Sequence, residues 1–326
     1  MKKVILSRTD SIGDVVLTLP LAGLLKELFP GIHICFLGRS YTRPVIEACR
    51  YVDTFLDWDA FSDIQDFRVL HADAILHVFP VRIIVQLAKE AGIPLRVGTS
   101  HRWYNWIYCN RLVHYSRKRS NLHEAKLNLK LLKGIGIRRE LSLHEIPGYY
   151  GLTPPPLPLP LQGRGPGGGV NLILHPKSKG SAREWGLGNF SKLIRLLPED
   201  RFNIFITGTK EEGGRMQEFL SAHAGRVTDM TGKLSLGELM AFIDSCDAMV
   251  AASTGPLHLA AALGKQAIGL YAPMRPIFPQ RWAPLGKNAD WLVLDKKCSK
   301  CRKSMDCECI RSILPEEVAG KLMSGK

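Results

Sequence analysis

An α/β protein built from two Rossmann-like domains facing each other across a cleft is what this sequence predicts, and three observations predict it. Each half alternates short apolar runs with stretches whose apolar residues recur at helical spacing, the pattern of parallel sheets covered on both faces by helices. Between the halves, residues 151–169 (GLTPPPLPLPLQGRGPGGG) hold twelve Pro or Gly in nineteen, which neither a helix nor a central strand accommodates. No apolar run approaches the roughly 18 residues of a membrane-spanning helix. The expected division is an N-terminal domain over 1–160, a linker about 151–169, and a C-terminal domain over 170–326.

In the first half, residues 3–7 (KVILS) read as a buried strand, followed by a polar loop over 8–14. Val15, Val16, Leu19, Ala22, Leu24, Leu25 and Leu28 then recur at helical spacing, so one helix is expected there. Residues 32–37, 74–78 and 95–98 are further strands, with a helix between the last two. In the second half, strands are expected at 170–175, 202–207, 248–251 and 266–271. Helices are expected at 188–197, from 207 to about 220, at 236–245, from Pro256, and in a short amphipathic tail from Pro315. In open α/β sheets ligands sit beyond the carboxyl ends of the strands, so the cleft is the expected active site.

The chain has 326 residues, 45% hydrophobic, and a net charge of +14, which calls for an anionic partner. The excess concentrates between Arg82 and Arg119, where eight Lys or Arg stand against Glu90 alone, interleaved with Trp103, Tyr104, Trp106, Tyr108 and Tyr115. A solvated basic face and a docking surface for phosphates or carboxylates both fit that pattern. The opening MKKVILS is too short an apolar stretch for a secretory signal, so a cytoplasmic location is expected.

Three loops carry chemistry. The first, Arg8-Thr9-Asp10-Ser11-Ile12-Gly13-Asp14, follows the first strand and opens a helix. Gly13 suits a tight turn, and Asp14 is either a carboxylate favoured by the helix start or a general base at a strand's end. The loop is not GxGxxG, which argues against dinucleotide binding and a nicotinamide-dependent oxidoreductase. The second, Ser253-Thr254-Gly255-Pro256-Leu257-His258, leads from a strand into a helix whose first-turn amides can meet an anion. His258 is polar in an otherwise apolar helix. The third, 175–185 (HPKSKGSAREW), offers Lys177, Ser178 and Arg183 around a diphosphate.

Together these stretches resemble glycosyltransferase family 9, which contains the ADP-heptose:lipopolysaccharide heptosyltransferases. The resemblance rests on DSIGDVVLTLP (10–20), Phe29-Pro30, the loop ending Arg183-Glu184-Trp185, Thr231-Gly232-Lys233 with Leu236, TGPLHLAAAL (254–263) and FPQRWAPLG (278–286). It implies a GT-B fold and an inverting transfer that requires no metal. It implies an acceptor site in the first domain and a nucleotide-sugar site in the second, with ADP-heptose the first donor to expect. Asp14 then matches the family's general base, ahead of Asp10. Lys177, Ser178, Arg183 (usually lysine in the family), Ser253, Thr254, Gly255 and His258 match the donor site, with Glu212 near the nucleoside. Many members carry Asp where this chain has Ser253, which favours a relative using another nucleotide sugar. A lipopolysaccharide inner-core acceptor would meet Gly13 and the cations Arg82, Arg96, Arg102, Arg117, Lys118 and Arg119. The same cations would draw the protein to the inner face of an anionic membrane. His123, Glu124 and Asn128 form a polar group on the next helix without an assigned place.

Cys298-x2-Cys301-x5-Cys307-x-Cys309 has the ligand number of a structural zinc site; reduced thiols or a surface disulfide are the alternatives. A zinc-containing nucleic-acid binder would use the same charge and cysteines, but no helix-turn-helix, RRM or regular zinc-finger spacing accompanies them, so no nucleic-acid partner is expected.

Overall fold

The computed structural model describes residues 1–61, 63–117, 120–157, 169–180, 182–294, 298, 301 and 307–324. The chain divides into two compact units, Met1–Thr153 and Pro154–Lys326.

The first unit runs β1 (Lys3–Ser7), α1 (Ile12–Val16), α2 (Leu19–Leu28), β2 (His33–Gly38), α3 (Arg43–Glu47), β3 (Thr54–Asp57), α4 (Gln65–Arg68), β4 (Ala74–His77), α5 (Arg82–Glu90), β5 (Leu95–Thr99), α6 (Trp103–Tyr108), β6 (Arg111–Val113) and α7 (Glu124–Leu129). Its strands form a six-stranded sheet in the order β3-β2-β1-β4-β5-β6, every pairing parallel. One face carries Ile5, Cys35, Leu37 and Ile75 into a core with Phe67, Ile84 and Ala88.

The single helix expected across 15–28 is two helices, α1 and α2. Pro20 is the reason. It has no N–H to give to a preceding turn, so it falls in the first turn of a new helix. The break leaves Asp14 inside a five-residue helix whose backbone is tied by Thr18 Oγ1 donating to the Asp14 carbonyl at 2.8 Å. Gly13 is the second residue of α1 and buried, helical instead of forming the tight turn expected of it.

The second unit runs β7 (Val170–His175), α8 (Leu187–Leu196), β8 (Phe202–Ile206), α9 (Lys210–Gly214), α10 (Gln217–Ala222), β9 (Val227–Asp229), α11 (Leu236–Ser245), β10 (Ala248–Ala252), α12 (Gly255–Ala262), β11 (Gln266–Tyr271), α13 (Pro279–Trp282), β12 (Ala289–Val293), α14 (Glu308–Arg311) and α15 (Pro315–Ser324). Its sheet has the order β12-β11-β10-β7-β8-β9, again parallel throughout. Leu172, Leu174, Phe190, Ile204 and Val250 form its core with Trp185, and Cys301, Cys307, Cys309 and Ile310 belong to the same cluster. Among the described residues no helix is long and apolar enough to cross a membrane.

Candidate active site

Both sheets have a switch point, a place where successive strands are added on opposite sides and the loops diverge. In the first unit it lies between β1 and β4, where Ser7 is in register with His77. The chain leaving β1 here carries Arg8, which is only 2% exposed. Its guanidinium collects carboxylates. Nε donates to Asp10 Oδ1 at 2.6 Å, Nη2 to Asp14 Oδ1, and Nη1 to Glu124 Oε1 at 3.4 Å and Asn128 Oδ1 at 3.3 Å. Ser11 Oγ donates to the other Asp14 oxygen. Arg117 joins from the far side, with Nε on Glu124 Oε1 and Nη2 on Asn128 Oδ1, both at 2.8 Å. Asn128 Nδ2 donates to the Leu17 carbonyl at 3.0 Å, which fastens α7 to the junction of α1 and α2.

Two guanidinium groups therefore meet three carboxylates in a largely buried cluster. Burial disfavours the Arg8 charge, and Asp14, Asp10 and Glu124 more than offset it, so Arg8 stays protonated. Burial pushes the Asp10 carboxyl up to about 6, against the opposing pull of Arg8 and with the repulsion of Asp14 added. Asp14 keeps a side chain 15% exposed, the partly open member of the group.

The predicted acceptor cations do not form one patch. Arg117 belongs to the carboxylate cluster. Arg96 donates to the backbone carbonyls of Tyr108 and Ile93, which pins β5 to the end of α6. Arg82 is exposed on α5 and lies over the Trp103 ring at 5.1 Å, and Arg102 is exposed just before α6. Lys118 and Arg119 lie outside the described residues.

In the second unit the switch point lies between β7 and β10, with His175 in register with Ala251. Two of the predicted donor loops leave the sheet here. In the loop after β7, Ser178 Oγ donates to the Ala182 carbonyl at 2.9 Å, and Lys179 and Gly180 take the left-handed backbone that folds it back. Lys177 pairs with Glu184 at 2.9 Å. Arg183 Nε and Nη2 both donate to the Cys301 carbonyl, at 3.1 and 2.9 Å. Arg183 and Ser253 line one small cavity together with Tyr271 and Met274.

At the head of α12, Thr254 is the cap residue but makes no side-chain cap bond. Its residue is 6% exposed, and its Oγ1 has no hydrogen-bond partner among the described residues. Gly255 opens the helix and Pro256 follows in its first turn. His258 is 3% exposed, with its ring edge-on to Trp282 at 6.4 Å. Glu212 follows β8 instead. Its carboxylate accepts the Thr209 N–H at 2.8 Å in a reciprocal cap of α9, so its place is set by the helix start. His175 bonds Thr207 Oγ1 at 3.0 Å, and burial lowers its pKa.

The four late cysteines converge. The sulfurs of Cys298, Cys301 and Cys309 all lie within 4.8 Å of one another, and Cys307 Sγ is 3.1 Å from Cys301 Sγ.

Arg8, Glu124 and Asn128 are the site residues that sequence reasoning left without a role. Glu124 and Asn128 are spaced i, i+4 and buried on α7, a signal that one helix face holds a buried polar partner. Nothing nearby in the sequence points from them to Arg8.

The residues 91–310 match the model of glycosyltransferase family 9 (heptosyltransferase). A Haemophilus influenzae protein, named only provisionally as a glycosyltransferase, is 27% identical over 300 residues, covering 87% of this chain and 86% of that one. The structure of Escherichia coli ADP-heptose lipopolysaccharide heptosyltransferase II superposes with a TM-score of 0.75 at 17% identity, over 99% of this chain and 98% of that one. E. coli heptosyltransferase WaaC with ADP gives 0.75 at 17% identity, over 99% and 100%. At that identity these likenesses establish the fold, which is of the GT-B type with two parallel six-stranded sheets. The sequence match then covers well over half the chain, including both loops at the second switch point: this protein belongs to glycosyltransferase family 9.

Proposed function

We propose that this glycosyltransferase transfers heptose from ADP-heptose to the inner core of lipopolysaccharide, with inversion and without a catalytic metal. The observation that carries the donor half is the head of α12. An uncapped helix start with a buried hydroxyl, Thr254 Oγ1, that has no partner among the described residues suits the oxygens of a diphosphate. Lys177, Ser178 and Arg183 stand on the loop after β7, which leaves the same switch point, and Arg183 shares a small cavity with Ser253; Ser253 precedes α12 and His258 lies within it. Glu212, in the first turn of α9 after β8, is the residue this reading gives to the nucleoside. On this reading residues 170–326 take the donor.

Residues 1–160 take the acceptor. A sugar hydroxyl is a poor nucleophile, and removing its proton as it attacks the anomeric carbon is worth roughly 10²–10⁴-fold in rate. Asp14 does this. Arg8 and Ser11 each occupy one of its oxygens, which holds the carboxylate in place while lone pairs remain for the incoming proton. The bond to the nucleoside diphosphate breaks on the opposite face of the sugar, so the configuration inverts. The charge developing on the leaving group falls on the α12 amides and Arg183, which is why the step needs no metal.

Peripheral attachment to the inner face of the cytoplasmic membrane belongs to the same reading. Trp103 and Trp106 are each 60% exposed, beside Ile83, Ile107, Arg82 and Arg102. Indoles and cations on one surface suit an interface of anionic lipid headgroups. A structural zinc at the four cysteines is part of the reading too, with no share in bond making.

A second reading keeps the fold and mechanism but uses another nucleotide sugar, and Ser253 in place of the usual acidic residue favours it. Thermal-shift screening of ADP-, GDP- and UDP-sugars, followed by turnover with a Kdo-bearing lipid acceptor, tests both. Stabilisation and transfer with ADP-heptose support the first. Response to a different nucleotide alone moves the assignment to the second, and response to none refutes both.

A further inference from the structure

The four-cysteine cluster and Arg183 form one structural unit, and nothing in the transfer mechanism accounts for it. A divalent cation at the usual 2.3 Å from four thiolates places the sulfurs about 3.8 Å apart. The sulfurs of Cys298, Cys301 and Cys309 lie within 4.8 Å of one another, close enough to share one cation, and Cys307 meets the group through Cys301 at 3.1 Å. That 3.1 Å is too long for the ~2.05 Å of a disulfide. Cys301, Cys307 and Cys309 are buried, so the cluster closes inward, not at a surface where thiols could scatter.

The cluster is fastened to the loop that begins the donor side. Arg183 Nε and Nη2 rest on the Cys301 carbonyl at 3.1 and 2.9 Å. Trp185 Nε1 donates to the Ile313 carbonyl at 2.9 Å, and Asn189 Nδ2 to the Arg311 carbonyl at 2.8 Å. Two side chains of the loop after β7 and one at the start of α8 thus grip three carbonyls of the cysteine-bearing segment. Among the described residues, that segment's regular structure is α14, a single turn of four residues. A cation shared by its cysteines would add a tie that fixes the Cys301 carbonyl.

We propose that Cys298, Cys301, Cys307 and Cys309 bind one thiophilic divalent cation, zinc or iron, as thiolates, and that this cation is a clasp seating Arg183 for the donor diphosphate. Cation binding releases the thiol protons and changes no oxidation state. The clasp part rests on the donor-site reading above; the metal part does not. Through the clasp, metal occupancy sets nucleotide affinity although the cation never touches the nucleotide.

The full chain, purified under reducing conditions, is assayed for zinc and iron by mass spectrometry, stripped with a chelator, and reloaded with Zn²⁺ or Co²⁺. ADP affinity is measured calorimetrically in each form. The expected result is one equivalent of metal per chain and, with Co²⁺, the visible spectrum of a tetrahedral tetrathiolate. ADP binding weakens about 10- to 100-fold on stripping, the worth of a charge-assisted hydrogen bond, and returns on reloading. Zinc or iron in the purified chain identifies the native cation. If stripping unfolds the chain, Arg183→Lys reports instead. It keeps the charge but loses the two-pronged grip on the Cys301 carbonyl, so it should weaken ADP by a similar factor with metal content unchanged. Failure to take up Zn²⁺ or Co²⁺, or a Co²⁺ spectrum without thiolate ligation, overturns the metal site. Unchanged ADP affinity in a folded stripped chain, or in Arg183→Lys, overturns the clasp. Absence of ADP binding by the loaded chain overturns the donor reading and the clasp together, while the cobalt spectrum still decides the metal site.

Discussion

Arg8 and Asp14 form an ion pair at the carboxyl end of the first strand, Nη2 on Oδ1, and the arginine is buried while the aspartate is partly open. A buried cation thus fixes the carboxylate that reaches solvent.

If Asp14 is the base, Asp14→Asn keeps the shape of α1 and removes the proton acceptor. Turnover should fall by roughly 10²–10⁴-fold, with ADP affinity within about twofold of wild type, because the variant leaves the second unit untouched. Steady-state transfer and calorimetry on the same preparation check this. Near-wild-type turnover would refute the role of Asp14.

Arg8→Met tests the cluster's structure apart from its chemistry. It leaves Glu124, 1% exposed, with Arg117 as its ion-pair partner, and deprives Asp10 of its guanidinium contact. Removing one partner of a buried ion pair costs about 3–5 kcal/mol. Urea unfolding should show a loss of that size. A loss below about 1 kcal/mol would mean the cluster is loosely held.

His77 gives the fold a specific weakness in acid. It is fully buried beside Ser7 in the register, with neither ring nitrogen hydrogen-bonded among the described residues. Burial, with Arg96 nearby, lowers its pKa to about 3. In the unfolded chain it titrates near 6.5. The unfolded state therefore takes up a proton that the folded state refuses, so stability is full above about pH 6.5 and declines as pH falls toward 3. By linkage this amounts to roughly 2 kcal/mol between pH 6.5 and 4.5. His77→Leu should flatten that decline without loss of stability at pH 7. An unchanged slope in urea unfolding across that range would show that other groups govern acid lability.

Replacing both exposed indoles, Trp103→Ala with Trp106→Ala, should weaken binding to phosphatidylglycerol vesicles by at least about tenfold, and binding of either protein should fall as salt rises. Phosphatidylcholine vesicles serve as the neutral control. Equal sedimentation of wild type and variant with the anionic vesicles would remove this surface from the membrane assignment.

The elements legible in the sequence are the central ones. β1, β7, β10 and β11 read as apolar runs because a strand buried on both faces of a parallel sheet tolerates little else. β3, β6, β9 and β12 escaped the sequence reading, and they are the four sheet edges, three to five residues long and mostly half-exposed or exposed. An edge strand needs no continuous apolar run, so it leaves no such signal. Pro20, by contrast, did mark a break that helical periodicity alone passes over.

The loop motifs after β1, β7 and β10, the Pro/Gly-rich stretch and the cysteine spacing are carried by neighbours along the chain, and the sequence by itself determined them. Which partners those loops meet was decided only by the tertiary structure. Arg8 finds Glu124 across 116 positions, and Arg183 finds the Cys301 carbonyl across 118. Buried polar groups must be matched by whatever the fold brings within about 3 Å, and that pairing depends on the order of strands in the sheet, which no local pattern of residues encodes.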